Sequence, residues 1–113
     1  SKENNMSLEF ICNVHRSGTI AVIWGSGMLA ESTVEDLKEQ ILSYLDDEDI
    51  PIGPVQFDFS EAVIVINTAF DQLKDLCRRC VEKGREVIFV NPSHAMSDFL
   101  SIAENFQFTV QTT

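Results

Sequence analysis

Basic residues are scarce in this 113-residue chain, eight against eighteen acidic ones, and it holds only three cysteines, three prolines and one tryptophan. Each shortage excludes something. With a formal net charge of −10, a phosphate-backbone partner is not expected, because nucleic-acid affinity comes chiefly from clustered Lys and Arg. Three cysteines and two well-separated histidines give no recognisable four-ligand metal spacing, so neither a metal nor another cofactor is expected. No apolar run approaches the ~20 residues that a bilayer-crossing helix needs, which argues against membrane insertion. The opening SKENNMSLEF lacks the apolar core of a secretory signal. The cytoplasm is therefore the expected location, and residues 1–7 are expected to be flexible. Internal repeats and low-complexity segments are also missing.

What is present is an ordinary globular composition, 44% hydrophobic, over a length that suits one domain spanning residues 1–113. Leu8, Phe10, Cys12 and Val14 alternate with Glu9, Ile11, Asn13 and His15, and Ser17-Gly18 supplies a turn, so the chain opens as a hairpin. Ile20 to Trp24 is nearly continuous apolar sequence, which predicts a strand covered on both faces. GSGM is expected to loosen the backbone. Val34, Leu37, Ile41, Leu42 and Leu45 then recur at helical spacing. Ser32 with Glu35, or Thr33 with Asp36, are the competing capping boxes at that helix's start. After a proline-bounded acidic loop, Val55 to Phe59 reads as a strand. A second helix over 69–83 places Leu73, Leu76, Cys77, Cys80 and Val81 on one face, closed by Gly84. REVIFV is a buried strand, Asn91, Pro92 and Ser93 are cap candidates for a third helix, and residues 106–110 offer a last strand. Together these predict an α/β protein: a mixed four- to five-stranded sheet opened by a hairpin, with about three packed helices.

Motifs with chemical potential meet weak contexts. Cys77 and Cys80 lie deep in a helix on its apolar stripe, where cysteine packs as a small hydrophobe, rather than at the helix start that a redox pair occupies. GSGMLA matches G-x-G-x-x-A, but the strand before it follows a hairpin and the helix is expected to start late, near Thr33, so the dinucleotide fingerprint lacks its setting. Asp46, Asp47, Glu48 and Asp49 do not follow the calcium-loop pattern. Neither His15 nor His94 has a carboxylate at a telling spacing, and no catalytic set emerges. That leaves Asn67-Thr68, between an apolar run (62–66) and a helix. Thr68 fits an N-cap, with Asp71 three residues on imitating a capping box, worth roughly 1 kcal/mol. A hydroxyl at a helix start, at the carboxyl end of a strand, is equally an address at which a partner docks or a phosphate is placed.

The ordered motifs resemble the STAS domain, the fold of bacterial anti-sigma factor antagonists. GTIAVIWGSGMLAESTVEDLKEQILSYL is similar to its second strand, Ser-Gly-x-Leu loop and first helix. VQFDFSEAV, with Asp58, Phe59 and Ser60, is similar to its Asp-Leu-Ser-Gly-Val strand end, and LCRRCVEKGREVIFVNPSHAMSDFLSIAENF to its later helices and strand. The resemblance spans about residues 9–108. It implies a non-enzymatic protein–protein interaction module in signal transduction and transcription regulation, whose partner is an anti-sigma factor kinase or another signalling protein. In the family a serine or threonine at the start of the second helix is phosphorylated. Thr68 takes that place if one residue is inserted after DFS; without the insertion Asn67 does. NTAF stands where the family has Asp-Ser-Ser-Gly. The implied docking surface is Asn67, Thr68, Asp71 and Gln72, with Ser26, Met28 and Ser32 of a neighbouring loop. The family also contains non-phosphorylated scaffolds and lipid-transporter subunits, and a small nucleotide-binding protein using GSGMLA remains the reading from a different class.

Overall fold

Gly18 makes the first reversal of the chain. It takes φ +63°, a left-handed conformation that is free of steric cost for glycine. Ser17 pairs with Ile20 across it, so the turn residues are Gly18-Thr19, one place later than expected. Glycine at the first central position is the type II′ signature, whose twist matches that of the flanking strands.

The computed structural model describes residues 10–46, 52–65, 67–102 and 107–113. The expectations for residues 1–7 and for Asp47, Glu48 and Asp49 fall outside them. Among the described residues eight elements follow in order: β1 (Phe10–Ser17), β2 (Ile20–Leu29), α1 (Glu31–Leu45), β3 (Val55–Val65), α2 (Asn67–Glu82), β4 (Val87–Val90), α3 (His94–Ser101) and β5 (Thr109–Gln111). The strands lie side by side in sequence order. β1 is antiparallel to β2, and every later neighbour is parallel. The mixed sheet with three helices is therefore as the sequence predicts.

Parallel neighbours joined by right-handed crossovers that always step in one direction put each helix on the same side of the sheet. The core agrees. Val34, Leu37, Ile41 and Leu45 of α1, the α2 stripe from Ala69 to Cys80, and Met96 and Leu100 of α3 join one buried cluster with Ala21, Ile23, Val55, Phe57, Phe59, Val87 and Phe89. Phe57 is its centre, stacked on Phe89 at 5.1 Å between ring centroids and edge-on to Phe59 at 5.4 Å. Phe108 extends the aromatic chain to Phe89 at 5.8 Å.

The other side of the sheet is different. Strand register aligns Asn13, Trp24, Asp58, Val90 and Gln111 in one row, and His15, Val22, Gln56, Ile88 and Thr109 in the next. Ile20, Val22, Trp24, Ile88 and Val90 stand outside the core cluster. Among the described residues, Ile20 to Trp24 is thus helix-covered on one face only, not on both. The core side takes Ala21 and Ile23, while Ile20, Val22 and Trp24 are half-buried.

Several boundaries also move. GSGM does not loosen into a loop: β2 runs through it to Leu29, with register irregularities against β3 between Trp24 and Ser26 and between Gly27 and Met28. β3 continues past Phe59 to Val65, and the last strand is Thr109–Gln111 rather than 106–110. α1 begins at Glu31, so neither expected capping box forms. Ala30 is the cap residue, and the Thr33 hydroxyl accepts from the Ala30 amide at 2.9 Å and donates to the Ala30 carbonyl at 2.8 Å. Alanine has no side-chain acceptor, so only this returning half of a box exists. At the opposite edge, Gly53 lies against the hairpin, where a Cβ would collide with the Thr19 carbonyl oxygen. The buried Arg85 donates to the Gly53 carbonyl at 3.2 Å.

Candidate partner-docking edge of the sheet

Because β2, β3 and β4 are parallel, their carboxyl ends share one edge, and α1, α2 and α3 all start there. β4 pairs with β3 only as far as Asp58. β3 then continues beside β2, with Met28 opposite Ile64 and Leu29 opposite Val65, and delivers the chain to Asn67. The third helix packs into the step this leaves. Ser93 accepts from the Met96 amide at 3.1 Å as its N-cap, and the Ser93 amide approaches the Phe59 carbonyl at 3.4 Å.

Asn67 and Thr68 are exposed at the start of α2. The helix begins at Asn67, so Thr68 is its second residue rather than its N-cap, and residue 66 lies outside the described residues. Thr68 therefore sits among the first amides, which have no intrahelical acceptor and carry the positive end of the helix dipole. Asp71 is exposed and pairs with Lys74 at 3.3 Å, and the Lys74 ammonium lies 5.7 Å from the centroid of the Phe70 ring. Phe70 itself is buried against Phe99 of α3 at 5.1 Å, which fixes this turn to its neighbour. Gln72 accepts from Lys38 of α1 at 2.9 Å. The sequence reading missed Lys38, since nothing in the spacing of α1 announces a cross-helix bridge.

The remaining members of the expected surface divide. Ser32 lies in the first turn of α1 at the same edge. Ser26 and Met28 are half-buried and out of phase with the buried Gly25 and Leu29, which turns them toward the side of the sheet away from the helices. They do not share a face with α2.

The other chemical candidates resolve simply. Cys77 and Cys80 are free thiols in the core. Burial pushes Cys77 well above its ordinary range and Cys80 up to about 11, so both are poor thiolates and poor nucleophiles. Gly25 and Gly27 belong to a strand flanked by β1, not to a strand-to-helix phosphate turn. His94 does have a carboxylate near it, contrary to expectation: its Nε2 is 3.8 Å from Asp98 Oδ2, one helical turn on, at a fully exposed position. Ser60 donates to Asp58 at 3.0 Å on β3. No group of three or more His, Cys, Asp or Glu among the described residues could hold a metal ion. Among them, too, no helix is long and apolar enough to cross a membrane.

Known proteins place this architecture. A serine-to-glutamate variant of RsbS from Moorella thermoacetica superposes with a TM-score of 0.73 at 13% identity, over 90% of this chain and 86% of that one. The unphosphorylated anti-sigma factor antagonist SpoIIAA gives 0.69 at 14% identity, over 91% and 90%. The murine Slc26a9 anion transporter gives 0.65 at 13% identity over 79% of this chain, which corresponds to 14% of the transporter. Among curated proteins none matches at the level of sequence. The STAS domain model, in contrast, matches residues 12–113, so the chain belongs to the STAS domain family.

Proposed function

We propose that the chain is a non-catalytic regulatory module that docks a protein partner on the start of α2, as an anti-sigma factor antagonist does, with Thr68 as the residue whose phosphorylation releases that partner. The observation that carries this reading is the exposed Asn67-Thr68 pair on the first turn of α2, at the carboxyl edge of the parallel strands, the place where partners and ligands meet α/β sheets. Asp71 and Gln72 extend the surface along the helix, and Ser32 borders it from α1. A phosphate on Thr68 would be stabilised by the free helix amides, yet its charge and bulk would oppose a partner packed against that turn. Incubation with an anti-sigma factor kinase and ATP, followed by phosphopeptide mapping, should find phosphate on Thr68. Phosphate confined to other residues removes the switch from this reading.

The similarity to part of an anion transporter favours a second reading, an unswitched scaffold or transporter subunit. It predicts a complex indifferent to ATP, with Thr68→Ala and Thr68→Asp binding alike. The first reading expects Thr68→Asp alone to weaken binding, by tenfold or more, about 1.4 kcal/mol.

A further inference from the structure

Charge on the helix layer is unevenly shared between α1 and α2. Five of the eight basic residues, Lys38, Lys74, Arg78, Arg79 and Lys83, lie on α1, on α2 or directly after it. Three of them converge on one carboxylate: Lys38 Nζ at 3.0 Å, Arg79 Nε at 3.1 Å and Arg78 at 3.3 Å from Asp75. One acid is thus shared by three cations, while Asp46 and Glu82 border the same groove and Lys74 pairs with Asp71. Each arginine commits a single nitrogen there and stays about half exposed, 51% and 53%. Both line a groove of about 500 Å³ floored by Leu42. The outer side of α1 is the reverse. Glu35, Asp36 and Glu39 are exposed there, and none takes part in an ion pair among the described residues. The two helices run parallel in a fixed register, since Lys38 meets Asp75 and Asp46 meets Lys83 at the same separation of 37 residues.

We infer that this helix layer docks weakly, and in a salt-sensitive way, on a second copy of the chain. A two-fold axis running along the helices lays α1 of one copy over α2 of the other without changing axial level. The register then brings Glu35 and Glu39 within about 3 Å, along the axis, of the levels of Lys74 and Arg78. Both pairs have the i, i+4 spacing of one helix face, and symmetry makes each contact twice. A foreign acidic helix would find the same groove, but this chain's own α1 already supplies carboxylates at the matching spacing. The net charge of −10 opposes association at long range. At ~0.1 M salt, screening over ~10 Å removes most of that repulsion while charges in contact still attract. The inference does not require phosphorylation of Thr68, although the same register brings the start of α1 of the second copy to the level of Thr68, six residues before Lys74.

Charge reversal tests it by analytical ultracentrifugation of the whole chain at ~0.1 M salt. The parent should dimerise with rising concentration, at least tenfold less tightly at ~1 M salt. Glu35→Lys/Glu39→Lys and Lys74→Glu/Arg78→Glu should each be monomeric alone, and their equimolar mixture should associate at least as tightly as the parent. A parent that stays monomeric up to about 1 mM, including one that binds only an added acidic peptide, overturns the inference. So does a mixture that fails to pair. The first variant carries less net negative charge than the parent, so its self-association above the parental level would mean that net charge alone governs, and would equally overturn it. Circular dichroism verifies folding. The milder Glu39→Gln and Arg78→Gln should each weaken the dimer severalfold, and no weakening in either counts against the inference.

Discussion

On one side of the sheet Phe57 is 0% exposed against two other phenylalanine rings; on the other side, one residue further along β3, Asp58 is half-exposed in a row with Trp24 and Val90. The strands are the same and the local propensities are the same. What differs is the layer above. Among the described residues three helices close the first face and none closes the second, where Ile20, Val22, Trp24 and Val90 are half-buried and stand outside the core cluster. Burial in this protein is therefore decided by crossover geometry more than by how apolar a strand is.

That contrast can be broken in graded steps. The largest effect is expected from Phe57→Ala, which leaves a cavity in a site walled by rings and helices; urea unfolding should show a loss of about 3–5 kcal/mol. Gly53→Ala comes next. Its methyl would strike the Thr19 carbonyl oxygen, a backbone atom that cannot swing aside, and the displaced loop also carries the Arg85 contact. A loss of about 2 kcal/mol in the same measurement is expected. Trp24→Ala removes a larger side chain than Phe57→Ala but a half-buried one, from the face that no described helix covers, so it should cost only about 1 kcal/mol. A cost matching that of Phe57→Ala would mean that something packs on that face.

The smallest effect concerns the outer side of the helix layer. The hydrogen bond from Lys38, followed by the charges of Lys38, Arg79 and Arg78, outweighs partial desolvation and holds the Asp75 carboxyl below its ordinary 3.8. A depressed carboxyl contributes stability above its unfolded value, and that contribution fades as pH falls through the folded value. With Asp75 34% exposed, solvent screening limits the contribution to about 0.5 kcal/mol. Asp75→Asn should therefore be less stable than the parent near pH ~6, and the gap should close as pH drops below ~4.

Much of this was legible in the sequence, and the failures share a cause. The α2 stripe could be read because Leu73, Leu76, Cys77 and Cys80 recur at the period of a helix that faces one core. Gly84 after α2 and Ser93 before α3 were readable as chain-end chemistry. Ile20 to Trp24 misled because a strand's own residues do not say on which side the next three crossovers will fall. The start of α1 misled for a subtler reason. Ser32 and Thr33 both look like caps, but β2 persists through Gly25 and Gly27, held by β1 on one side and β3 on the other, and so moves the helix start to Glu31. Thr68 reads as a cap because Asp71 follows three residues on, yet α2 already begins at Asn67 and makes Thr68 its second residue. Lys38 and Asp75 were invisible as a pair, since their meeting depends on two helices lying parallel at a particular register.

The strand order has a consequence for how the molecule is built. Each strand lies beside its neighbour in sequence, so the sheet can be assembled from one edge to the other as the polypeptide emerges, hairpin first, with no strand waiting for a distant partner. The turn that carries Asn67 and Thr68 is then framed by β2 and β3 at mid-synthesis, but it is braced by Phe99 only when α3 arrives. A chain still being translated would present this surface in outline well before it could hold it firmly.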